Sequence, residues 1–79
     1  MREYTEYTRE EKEIIVNKGG DAKRELAKAF EDFVRWANLD NDTLAYIGQC
    51  DPAIDIFYPY STKEEITQFV NEEIKNELL

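Results

Sequence analysis

The sequence predicts an α+β fold, a single domain over residues 1–79 in which two amphipathic helices pack on a short antiparallel hairpin. Three observations predict it. Apolar residues recur at intervals of three and four in two separate segments, 22–38 and from 61 onward. Between these segments lie two short runs divided by Cys50-Asp51-Pro52, the second of them rich in β-branched and aromatic residues. Apolar residues make up 42% of the chain, enough for a small core and too much for a disordered acidic tail.

Residues 1–7, with Tyr4 and Tyr7 set among charges, read as a lead-in arm or an edge strand outside the core. Residues 9–18 admit two readings. Thr8 and Glu11 have the spacing of a capping box, which would open a helix running to about Lys18 and closing at Gly19-Gly20. Ile14-Ile15-Val16 is instead a β-branched run leading into a glycine turn, and the strand is the favoured assignment.

Asp21 is the expected N-cap of the first clear helix, and Leu26, Phe30, Phe33, Val34 and Ala37 form its apolar stripe. Lys28 with Asp32, and Glu31 with Arg35, stand at the i,i+4 spacing of helix-surface ion pairs. Trp36 lies off the stripe, so it either packs under a neighbouring strand or is an exposed anchor.

Residues 43–49 and 53–60 read as the hairpin. Asp42 as the cap of a short helix through Ile47 is the alternative for the first run, and Pro59 ends the second. Ser61 and Glu64 have capping-box spacing, and Ile66, Phe69, Val70, Ile74 and Leu78 then mark the second helix.

Charge divides unevenly along the chain, whose net charge is −8. Residues 1–39 hold nine acids and eight bases, whereas residues 40–79 hold nine acids against Lys63 and Lys75 alone. Such a field disfavours direct nucleic-acid binding and anionic membranes, both of which demand basic residues. It favours a basic protein partner. No apolar run approaches the roughly 18 residues of a membrane span, and no signal-peptide core follows Met1, so a soluble cytoplasmic protein is expected. The single Cys50 excludes an internal disulfide, which fits a reducing compartment.

Catalysis is not expected. With no histidine the chain lacks the usual base of nucleophilic enzymes and the commonest metal ligand, and Cys50 sits beside Asp51, whose charge opposes a thiolate. Asp40-Asn41-Asp42 begins like a calcium loop, but Leu44, Ala45 and Asp51 stand where that loop needs an oxygen ligand, glycine and glutamate. Neither cofactor nor metal is therefore expected.

What remains is acid interleaved with aromatics. Asp51, Asp55, Glu65, Glu72, Glu73 and Glu77 are the candidate phosphate-like charges, with Tyr58 and Tyr60 adding apolar contact. About 100° per residue turns Glu65 and Glu72 away from the apolar stripe, whereas Glu73 and Glu77 fall in or beside it, where an isolated domain has no use for acids. In size, charge and lack of catalytic apparatus the chain resembles the small acidic inhibitors of bacteriophages, some of which mimic DNA. The resemblance is compositional and assigns no residue. It implies occupation of the basic surface of a nucleic-acid-binding protein, such as a nucleoid protein, RNA polymerase or a defence nuclease. The alternative is an adaptor that binds through an apolar surface, and a homodimer is expected because small cores are marginal.

Overall fold

The architecture is known from a computed structural model, which describes residues 2–78 and the side chains of residues 2–76. A 3-10 turn at Tyr4–Glu6 precedes five helices: α1 Arg9–Lys18, α2 Gly20–Trp36, α3 Asn41–Gln49, α4 Ile54–Phe57 and α5 Lys63–Leu78. No strand occurs among the described residues, so the α+β expectation, its sheet and its hairpin are overturned in favour of an all-helical fold.

The capping box decides α1. Thr8 Oγ1 accepts from the Glu11 amide at 3.1 Å, and the Glu11 carboxylate accepts from the Thr8 amide at 3.2 Å. Two otherwise unpaired donors are thereby satisfied, and Ile15 and Val16 pack on the core from a helix rather than a strand. Gly19 and Gly20, at φ +74° and +72°, take left-handed backbone that other residues rarely adopt, and they turn the chain sharply into α2. Helix α2 thus begins before Asp21, which sits in its first turn 3.7 Å from Arg24 instead of capping it. Asn38, at φ 56°, terminates α2. Neither i,i+4 pair foreseen on this helix forms an ion pair.

The hairpin segment folds as two short helices. Asp40, two residues earlier than Asp42, caps α3 by accepting from the Thr43 amide at 3.3 Å and from its hydroxyl. Thr43 and Ile47, four apart, are buried. In α4 the buried pair is Ile54 and Phe57, three apart, while Ile56 is 40% exposed. A strand would have placed Ile54 and Ile56 on one face. Between these helices lies a turn with a cis Asp51–Pro52 peptide. At α5 the cap is Thr62, whose Oγ1 accepts from the Glu65 amide at 3.2 Å, so the cap sits one residue beyond the expected Ser61.

The core gathers around Phe57, which is fully buried. Its ring meets Phe30 at 5.7 Å, Phe69 at 5.6 Å, Tyr46 at 6.4 Å and Tyr60 at 6.5 Å. Residues 2–7 pack on the core rather than forming a loose arm or an edge strand: Tyr4 and Tyr7 are both buried, and the Tyr4 ring sits 5.1 Å from Phe30 and 5.2 Å from Phe33. Arg2 clamps this segment, donating to Glu11 at 2.7 Å and to the Glu6 carbonyl at 2.8 Å, with its guanidinium 4.2 Å from the Tyr7 ring centroid.

Below the Tyr4 ring lies the least expected side chain of the fold. Lys12 is fully buried, with its ammonium 4.5 Å from that ring's centroid. It donates to Ser61 Oγ at 2.8 Å and to the Tyr60 carbonyl at 3.4 Å. The Tyr4 hydroxyl is shared between the carbonyls of Phe57, at 2.9 Å, and Tyr60. Lys12 and Tyr4 together therefore tie the start of the chain to the segment that leads into α5.

Candidate functional site

Thr62 sets the register of α5, and that register puts Glu65, Phe69 and Glu72 on one face, at steps of four and three residues. Tyr60, held just ahead of the helix by Lys12 and Tyr4 at its carbonyl, lays its ring 5.0 Å from Phe69 in a tilted arrangement. Tyr60, Glu65, Gln68, Phe69 and Glu72 line a shallow groove of about 240 Å³.

Both carboxylates in this groove are oriented by neighbours. Glu65 Oε1 accepts from the Thr62 hydroxyl at 3.1 Å, and Glu72 Oε1 accepts from the Gln68 amide at 3.3 Å. Neither is in an ion pair. Two half-buried rings with an acid on either side can hold a cation: its charge is met by carboxylate, and its apolar stem or planar face by the rings.

The other residues singled out from the sequence lie elsewhere. Asp55 is exposed but forms a 2.7 Å ion pair with Lys23 of α2, so its charge already has a partner. Asp51 is exposed in a different concavity, formed with Ala27, Phe30 and Val34 of α2 and with Ile47. Tyr58 is half-buried at the end of α4, away from the α5 groove. Glu73 is half-buried, consistent with its place beside the apolar stripe. The side chain of Glu77 lies outside the described residues.

Sequence reasoning missed Phe69 as a groove wall because its spacing assigned it to the core. It serves both purposes, with a contact to Phe57 on one side and the groove on the other. The signal was present in the Glu65-Phe69-Glu72 spacing.

Titration follows burial and capping. Burial pushes the Tyr4 phenol well above the ordinary tyrosine range, and the Glu65 carboxylate adds to the shift. Burial also pushes the Lys12 ammonium below the ordinary lysine range, with Glu65 opposing and Arg9 assisting. The Glu11 carboxyl is held down at about 2, first by its hydrogen bond from Arg2 and then by the Thr8 amide. Cys50 is half-buried, donates to the Tyr46 carbonyl at 3.4 Å and is pushed up by burial, the condition of a packed thiol. Asp40 is held down by the hydrogen bond from Thr43, which identifies the Asp40-Asn41-Asp42 run as helix capping. Among the described residues no group of three or more carboxylate or thiol side chains could hold a metal ion, and no helix is long and apolar enough to cross a membrane.

Comparison with known protein families, with curated proteins and with solved structures finds no match.

Proposed function

We propose that this chain is a non-enzymatic binding protein that uses the α5 groove and the acidic surface around it to occupy the basic surface of a nucleic-acid-binding protein. The observation that carries this reading is the convergence of Tyr60, Phe69, Glu65 and Glu72 on one groove in the half of the chain with the acid excess. Among the described side chains of residues 40–76, Asp55 alone is in an ion pair. Asp42, Asp51, Glu64, Glu65 and Glu72 are exposed, open to a partner. A groove walled by aromatic rings favours a partner that presents arginine or lysine, because the side chain gains contact with the rings as well as charge neutralisation.

Replacing Glu65 and Glu72 together by glutamine tests the reading. The Thr62 cap uses the backbone amide of residue 65, and glutamine keeps a side-chain oxygen to accept from the Thr62 hydroxyl, so helix content by circular dichroism stays unchanged. Affinity for the basic partner falls at least about tenfold, about 1.4 kcal/mol, and its salt dependence flattens. Unchanged affinity in this variant would remove the groove from the interface.

A second reading, a homodimer or adaptor that binds through apolar surface, is favoured by Ile14 at 66% exposure and by Leu44 and Ile56, at 39% and 40%. These side chains lie on three different helices, and such an assembly would show little dependence on salt.

A further inference from the structure

Among the described side chains the most exposed large apolar one is Trp36, at the C-terminal end of α2, with 82% of its surface open. Ala29, Asp32, Phe33 and Trp36 follow one another at steps of three, one and three residues, so they share a face of the helix. The segment Arg2–Thr5 forms the facing wall of a cleft of about 490 Å³. Asp32 and Glu3 both line it and both are exposed, and neither carboxylate is hydrogen-bonded or ion-paired to any of the described residues. Arg2 also borders the cleft, but its guanidinium is already committed to Glu11, to the Glu6 carbonyl and to the Tyr7 ring. The cleft therefore combines an open indole, a half-buried phenylalanine, two unpaired carboxylates and the negative end of a 17-residue helix.

We infer that this Trp36 cleft is a second docking site, which takes a cationic side chain, arginine in preference to lysine, from the basic partner. Charge complementarity selects that occupant. An apolar group would cover the indole at the cost of desolvating Glu3 and Asp32 unpaired, and an anion would meet both carboxylates and the helix end. A cation satisfies all of these groups, and tryptophan is the best of the aromatic partners for one. A planar guanidinium can stack on the indole while it bonds to carboxylate, which an ammonium cannot. The inference rests on the proposed function only for the basic character of the partner, since α5 contributes nothing to this cleft.

Trp36 is the single tryptophan, so fluorescence excited at wavelengths where tyrosine does not absorb reports on this cleft alone. The test titrates the full chain with a short arginine peptide, a lysine peptide of equal charge and an acetyl-lysine peptide without charge. The expected result is a saturable fluorescence change with the arginine peptide, a weaker one with lysine and none with acetyl-lysine. Glu3→Gln with Asp32→Asn, both at exposed positions, weakens the arginine response at least about threefold, whereas E65Q with E72Q leaves it in place. No saturable change, equal responses to charged and uncharged peptides, or an unaltered response in the Glu3 and Asp32 variant overturns the inference. So does fluorescence that depends on protein concentration in step with dimer formation by analytical ultracentrifugation, because a second copy then covers Trp36. Loss of peptide response with partner binding still sensitive to E65Q and E72Q overturns this inference alone. The reverse pattern overturns the α5 reading alone.

Discussion

Phe57→Ala lowers the stability of the chain by about 3–5 kcal/mol, the largest loss expected of a single side-chain truncation here. The ring is fully buried and meets four other aromatic rings, from α2, α3, α5 and the segment before α5, so its removal leaves a cavity where the helices converge. Truncating a buried phenylalanine costs about 3–5 kcal/mol, and a domain of 79 residues has a total stability of about 4–12 kcal/mol. At about 4–8 °C per kcal/mol for a domain of this size, the Tm falls by at least about 12 °C. Ile56→Ala is the informative neighbour. Ile56 is 40% exposed, and its truncation costs less than about 1 kcal/mol. Thermal unfolding of the two variants separates helical from strand packing at α4, since a strand with Ile54 and Ile56 inward would reverse the order of the two losses.

The second large effect is at Tyr4. Tyr4→Ala removes a buried ring wedged against Phe30 and Phe33 together with the hydroxyl that ties residues 57–60 to the start of the chain, at a cost of about 3–5 kcal/mol. Tyr4→Phe keeps the ring and costs about 1–2 kcal/mol, because the Phe57 carbonyl still accepts from the Tyr60 amide and the Tyr60 carbonyl from Lys12.

The same pair shapes the alkaline limit of stability. Tyr4 has a folded pKa above its ordinary 10.0, so the stability it contributes is complete below pH 10 and is lost as pH rises beyond it. Lys12 has a folded pKa below its ordinary 10.5, so its contribution has the opposite sign, with stability gained as pH rises toward 10.5. Stability is therefore expected to climb into the mildly alkaline range and then fall. Lys12→Met abolishes the climb and leaves the fall. Chemical denaturation across that range, with tyrosinate absorbance followed in parallel, checks both signs. A Tyr4 phenol that ionised in the ordinary tyrosine range while the helices remained intact would contradict its burial.

These effects fall where the sequence was hardest to read. The two long helices are visible in their apolar spacing because each buries one face over several turns, and Leu26 with Phe30, like Ile66 with Val70, is almost fully buried. The short elements deceived for a physical reason. Ile14-Ile15-Val16 and Ile54-Asp55-Ile56-Phe57 carry β-branched residues whose strand preference is worth less than a local cap and a core contact together. Thr8 supplies the cap in the first case, and the fully buried Phe57 supplies the contact in the second. Over four residues, a period of two and a period of three to four are barely distinguishable. Tyr4, Tyr7 and Lys12 escaped because their burial depends on long-range contacts, Tyr4 and Lys12 meeting residues 57–61 across the fold.

The candidate site was legible in part. Charge asymmetry pointed to the half of the chain in which Tyr60, Glu65 and Glu72 converge on one groove. Asp55 was drawn away by Lys23, a partner more than thirty positions distant that no local pattern announces. Trp36 was marked as either packed or exposed, and the absence of any sheet to cover it leaves it open.

The most direct test of the central claim is capture of partners from a nuclease-treated bacterial lysate at low and at high salt, with the E65Q and E72Q variant run beside the native chain. The account predicts one dominant basic nucleic-acid-binding protein, held at low salt, released at high salt and missing from the variant. A partner that is not basic, that resists salt or that the variant retains in full would contradict it.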